Sequence, residues 1–165
     1  MLDNFARKAN LNPAWGSTVA KVSEGGKYLQ MPYTVKGMDF TFTGLLTYAL
    51  KMLDNAALSD IAYSLQETSF SMLCEATERA LMLLDKKELL VCGGVAQSAR
   101  LKEMLALIAN EHSIKFGFAQ NEYNADNGAM IALVAEKMLH SVETYKQNEC
   151  GISQKYRIDD FKVVW

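Results

Sequence analysis

The spacing of apolar residues divides the chain into helical and extended stretches. Leu2, Phe5, Ala6 and Ala9 recur at helical spacing and predict a short helix within Met1–Asn10. From Leu11 to Val35 the punctuation is Pro13, Gly16, Gly25, Gly26 and Pro32, which predicts loops around a short helix at Thr18–Ser23. Phe40 and Phe42 alternate, and Thr43-Gly44 then opens a predicted helix from Leu45 to Leu53. The longest periodic run is Ser59–Leu84. Ile61, Ala62, Leu65, Ser69, Met72, Leu73, Ala76, Ala80, Leu83 and Leu84 trace one face, opposite Gln66, Glu67, Glu75, Glu78 and Arg79. Ser59 is the expected N-cap, with Asp60 near the positive helix end. This face reads as core.

Glu88–Cys92 is a short apolar run ending in Gly93-Gly94, the pattern of a buried strand in a helix-covered sheet. A helix is predicted over Ala99–Glu111 from Leu101, Met104, Leu105 and Ile108, followed by a strand at Ile114–Phe118. The loop Ala119–Asn127 leads to a helix over Gly128–His140, and Phe161–Trp165 is a candidate terminal strand. Strand, helix, strand, helix places the centre of the chain in the α/β class. No internal repeat or low-complexity tract interrupts it.

Composition narrows the class further. Half of the 165 residues are hydrophobic and 22% charged, ordinary for a globular domain. A net charge of −2 carries no bulk signature of nucleic-acid binding. Cys74, Cys92 and Cys150 are odd in number and form no CxxC pair, so neither a disulfide framework nor a zinc knuckle is suggested. Cys74 and Cys92 lie in apolar runs, where a thiol behaves as a small hydrophobe. No run of 18 apolar residues is present. The chain reads as cytoplasmic, with no membrane segment.

Three constellations are candidates for chemistry. Gly93-Gly94-Val95-Ala96 follows a strand and precedes a helix, so its backbone could approach a ligand closely. It is equally a tight strand-to-helix turn with Ser98 as N-cap. Asp126-Asn127-Gly128 opens an apolar helix, and Asp126 is either a hard-metal ligand or the helix cap. Lys36-Gly37-Met38-Asp39 offers a cation and an anion around glycine, or simply a hairpin or helix-entry loop. His112 and His140 are not paired at helical spacing and read as solvated. No HExxH, GxSxG or Cys–His peptidase pattern appears.

Several stretches in one register resemble a known family. Lys36–Leu50 (KGMDFTFTGLLTYAL), the helix containing YSLQET, Gly93–Leu105 (GGVAQSARLKEML), Asp126–Ala132 (DNGAMIA) and the ending QKYRIDDFKVVW are similar to the tRNA N6-adenosine threonylcarbamoyltransferases. These include the catalytic subunit of the archaeal and eukaryotic KEOPS complex, and were formerly called O-sialoglycoprotein endopeptidases. The resemblance is to the C-terminal half. It implies part of an actin-like ATPase (ASKHA, ribonuclease H-like) lobe, helix-rich with a small sheet. It also implies transfer of threonylcarbamoyl from threonylcarbamoyl-AMP to adenosine 37 of tRNA. Three segments are expected: nucleoside-side helix and loops at 1–35, an α/β core at 36–140 and a C-terminal tail at 141–165.

The resemblance carries site residues over singly. Asp3 and Gly16 correspond to nucleoside contacts, and Gly93, Gly94 and Ser98 to the nucleotide-side turn. Asp126 corresponds to a ligand of one divalent ion, iron or zinc, whose two histidines belong to an N-terminal half expected to lie outside this chain. Two family positions are altered: a glutamate falls on Ala20 and an asparagine on Ser98. ATP, AMP or threonylcarbamoyl-AMP is the implied ligand. Implied partners are an N-terminal half if encoded separately, the KEOPS kinase-like subunit, tRNA through the complex, and a second copy through uncovered strand edges. The other function class is an inactive remnant serving as an interaction module for the kinase-like subunit.

Overall fold

The structure, a computed structural model, describes residues 1–140 together with 151, 152, 154, 155 and 157. The candidate strand Phe161–Trp165 and Cys150 lie outside the described residues. The chain divides into two compact units, Met1–Ala119 and Gln120–Trp165.

The first unit is organised by its longest helix. Helix α1 spans Leu2–Lys8, α2 Gly16–Val22, α3 Thr43–Lys51 and α4 Leu58–Leu83. With 26 residues, α4 is about 39 Å long, enough to serve as a common wall for the others. Phe5 and Ala6 of α1, Val19 of α2, Leu45 and Ala49 of α3, and Ile61, Ala62, Leu65 and Met72 of α4 form one buried cluster, joined by Met31. Leu45 and Ala49 are four residues apart, as are Ile61 and Leu65, which puts each pair on one helical face.

The amino end of α4 differs from expectation. Its N-cap is Ala57, and no side chain caps it. Ser59 already lies inside the helix, and Asp60 Oδ1 accepts the Lys27 N–H at 2.8 Å. The reason is a close crossing. A Cβ on Gly26 would stand 2.4 Å from the Ser59 carbonyl oxygen, so only glycine lets the loop pass there. The same loop donates the Leu29 N–H to Ser64 Oγ at 2.7 Å, while Ser64 Oγ donates to the Asp60 carbonyl at 2.6 Å. Gln66, expected on the polar side, is buried.

Strands β1 (Val35–Lys36) and β2 (Asp39–Phe40) form a two-residue antiparallel hairpin, with Gly37 at φ 64° in its turn. Lys36–Asp39 is therefore the hairpin. Strands β3 (Glu88–Val91) and β4 (Lys115–Phe118) pair in parallel, from Glu88 opposite Lys115 to Val91 opposite Phe118. Helix α5, Ala99–Glu111, connects them and packs on α4. Phe70 and Cys74 meet Leu101 and Leu105 there, and burial pushes the Cys74 thiol up to about 11.

The small sheet is not buried on both faces. Leu89 and Val91 pack inward, but Leu90 is 74% exposed and Cys92 is exposed. A fully buried β3 needs a second covering layer, and two strands of four residues do not supply one. His112 also departs from a solvated reading: its Nε2 lies 2.6 Å from Glu78 Oε1.

In the second unit a 3-10 turn at Asn121–Tyr123 precedes α6, Gly128–His140. Helix α6 contains no buried residue, and Ile131, Leu133 and Leu139 are exposed. Among the described residues no helix is long and apolar enough to cross a membrane.

Candidate functional site

Two of the carried positions meet directly. Asp3 sits in the first turn of α1, and its Oδ1 accepts the N–H of Gly16, the first residue of α2, at 2.5 Å. The α2 N-cap, Trp15, offers no side-chain cap, so a carboxylate from another helix takes that role. Negative charge at a helix amino end is favourable, because the first N–H groups lack partners within the helix. The approach is close, since a Cβ at Gly16 would lie 3.2 Å from Leu2 Cβ and 3.4 Å from Asp3 Oδ1, tight enough that Leu2 would have to shift slightly. Ala20, in the same helix, presents no polar side-chain atom.

The nucleotide-side turn leaves β3 through Cys92. Gly93 takes φ 103°, a conformation that side-chain-bearing residues rarely adopt. A 3-10 turn follows at Gly94–Gln97, with the Ala96 N–H donating to the Gly93 carbonyl and the Ser98 N–H to that of Val95, both at 3.0 Å. Ala96 is buried and pins the turn to the body. No atom comes within 4 Å of a Cβ built on Gly93 or Gly94, so the turn faces open space. Ser98 caps α5 as expected, accepting the Leu101 N–H at 3.4 Å. Its hydroxyl is thereby committed in part to the helix.

One contact at this turn was not anticipated. Arg100, in the first turn of α5, donates from Nε and Nη2 to the two carboxylate oxygens of Glu67 at 2.8 and 2.7 Å, and from Nη1 to Glu103 at 2.8 Å. These carboxylates raise the Arg100 pKa further. The available signal was electrostatic: a cation two residues beyond an N-cap opposes the helix dipole and calls for an acidic partner. The neighbourhoods of Asp3 and Arg100 share packing. Leu2 lies against the cluster of Phe70, Cys74, Leu101 and Leu105.

In the second unit Asp126 is exposed and does not cap α6. The cap is Asn127, whose Oδ1 accepts the Met130 N–H at 3.0 Å while its Nδ2 donates to the Ala125 carbonyl. Among the described residues no group of three His, Cys, Asp or Glu side chains converges as a metal site. One exposed carboxylate is not a chelate, so the residues present do not by themselves fit a divalent ion.

A further polar network ties the hairpin to α4. Arg79 Nη1 donates to the Gly37 carbonyl at 2.7 Å and pairs with Glu75, which also accepts from Tyr33 Oη. Burial, reinforced by the Glu75 hydrogen bond and charge, raises Tyr33 to about 12. An open groove of about 830 Å³ runs along Gly37, Glu75 and Arg79 beside Met38, Met82 and Leu83.

A family model described as tRNA N6-adenosine threonylcarbamoyltransferase matches residues 1–133. The chain is 42% identical to proteins of that name from Methanothrix thermoacetophila and Thermococcus sibiricus, over essentially its whole length and 51% and 52% of theirs. It is also 42% identical to a probable bifunctional tRNA threonylcarbamoyladenosine biosynthesis protein of Methanothermobacter thermautotrophicus, covering 31% of that protein. The chain thus spans from 31% to 52% of the length of these three curated relatives.

Proposed function

The chain belongs to the tRNA N6-adenosine threonylcarbamoyltransferase family, and on that premise we propose that it supplies the nucleoside-side surface of such a transferase within a KEOPS-type complex. The proposed fold is part of an actin-like ATPase lobe. In the proposed reaction the N6 amine of adenosine 37 in tRNA attacks the carbamoyl carbonyl of threonylcarbamoyl-AMP. The carbonyl's bond to the phosphate oxygen breaks, AMP leaves with the electron pair, and the amine loses a proton.

The observation supporting this reading is the Asp3–Gly16 contact. An ionised carboxylate only accepts hydrogen bonds, and with Oδ1 on the Gly16 amide, Oδ2 is the proposed acceptor for a ribose hydroxyl. The open backbone at Gly93-Gly94 is the proposed phosphate side of the same ligand: ATP, AMP or threonylcarbamoyl-AMP. Asp126 is the proposed ligand of an iron or zinc ion that needs imidazole ligands from outside the described residues, which an N-terminal half of the transferase would contribute.

Reconstitution tests the proposal. The chain is mixed with the N-terminal half of an archaeal relative, tRNA and threonylcarbamoyl-AMP, and the nucleosides are analysed by mass spectrometry. Modified adenosine is expected, reduced roughly tenfold or more by Asp3→Ala if a hydrogen bond to a charged group is lost. No product, from tRNA that the intact relative does modify, would leave the second reading. In that reading the chain is an inactive module that binds the KEOPS kinase-like subunit. Ala20 and the helix-capping Ser98 favour it, since neither presents the family's polar group to a ligand.

A further inference from the structure

The glycine turn is held from three directions, and they are not equivalent. Strand β3 brings the chain in, buried Ala96 anchors the middle, and α5 carries it away. Helix α5 rests on α4 through Leu101 and Leu105, an apolar contact that fixes which face turns inward but carries no hydrogen bond. The bidentate Arg100–Glu67 pair differs in kind. Two parallel N–H···O bonds fix direction as well as distance. Glu67 projects from the middle of α4, its side chain only 12% exposed. Arg100 stands two residues beyond Ser98, where a positive charge is electrostatically unfavourable for the helix. A residue serving only the helix would be neutral or acidic there.

We propose that Arg100 is a positioning residue for the Gly93–Ser98 turn, its fork on Glu67 setting the orientation of the α5 amino end and hence of the turn backbone. The inference rests on the reading of that turn as the phosphate side of the nucleotide site, but it is tested separately from it. Arg100→Lys keeps the charge and loses the fork, since an ammonium is a point donor. Glu67→Gln removes the same geometry from the other helix and serves if the lysine variant does not fold.

Amide hydrogen exchange of the whole chain is the first readout. The Ala96, Ser98 and Leu101 amides, all hydrogen-bonded within this segment, are expected to exchange about tenfold faster in either variant. Those of Leu105 and Ile108 are expected to keep their parental rates. Unchanged turn amides, or an equal acceleration along all of α5, would overturn the proposal, because a merely stabilising ion pair acts on the whole helix. The second readout is AMP titration. Where the parent binds AMP, Arg100→Lys should weaken it several-fold, and unaltered affinity would also overturn the positioning role. A parent that does not bind AMP even when mixed with the N-terminal half of a relative removes the nucleotide reading of the turn, and the exchange rates then decide the positioning role alone.

Discussion

The two halves of α4 hold their neighbours by different means. Toward its amino end, Ile61, Ala62 and Leu65 are fully buried against Phe5, Val19, Leu45 and Ala49. From Glu67 onward Met72 still reaches that cluster, but the remaining buried contacts fall into small clusters, Phe70 and Cys74 with Leu101 and Leu105, then Leu81 with Ala109 and Ile114. The first half has polar ties to the backbone of Lys27 and Leu29, whereas side-chain ties gather in the second: Glu67 to Arg100, Glu75 to Tyr33, Glu78 to His112, and Arg79 to the Gly37 carbonyl. Burial is non-directional and strong, whereas ion pairs near the surface contribute little stability but specify geometry. The well-buried half is suited to hold the fold, and the polar half to orient the hairpin and the glycine turn.

The largest effect expected from this difference lies in the first half. Phe5→Ala should cost about 3–5 kcal/mol, because a fully buried ring is removed where several helices meet. Urea unfolding of the chain measures it. In the smaller cluster Leu105→Ala should cost about 2–3 kcal/mol, and exposed Leu90→Ser should stay within about 0.5 kcal/mol. Equal losses for Phe5→Ala and Leu105→Ala would erase the contrast. A loss well above 1 kcal/mol for Leu90→Ser would show that the outer face of β3 is covered in solution.

The same contrast explains what the sequence could reveal. Helices α5 and α6 begin and end where the apolar spacing and the glycines place them, since those signals are local. The Ser98 cap was local too. Ser59 failed as a cap because the Gly26–Leu29 loop crosses α4 at that point, and a contact over more than thirty positions leaves no mark in a helical period. Gln66 fell on the wrong side for a related reason, as burial there depends on what covers α4. The run Leu89–Cys92 is apolar enough for a sheet interior, yet burial is a property of layers, and no periodicity reports whether a second layer exists. At the candidate site the resemblance supplied Asp3 and Gly16 as separate positions. Their direct hydrogen bond required the folded geometry of α1 against α2.

The smallest expected effect concerns Tyr33, and it probes the polar half alone. Its pKa is raised to about 12, by burial first and then by the hydrogen bond and charge of Glu75, against the opposing charge of Arg79. A folded-state pKa above the unfolded value of 10.0 means that the unfolded chain loses this proton first. The contribution to stability is therefore complete below pH 10 and is lost as pH climbs from 10 to about 12. Half of Tyr33 faces solvent, so screening keeps the change small, and titration reads it better than unfolding. Ring-carbon NMR of labelled tyrosine, with Tyr33→Phe to assign the signal, should show Tyr33 ionising near pH 12 in the parent. Glu75→Ala removes both the acceptor and the negative charge while leaving Arg79 in place, and should bring the transition down toward the ordinary phenol range. An identical transition in parent and variant would mean that Glu75 does not engage Tyr33 in solution. The polar half of α4 would then lose one of the ties that distinguish it from the buried half.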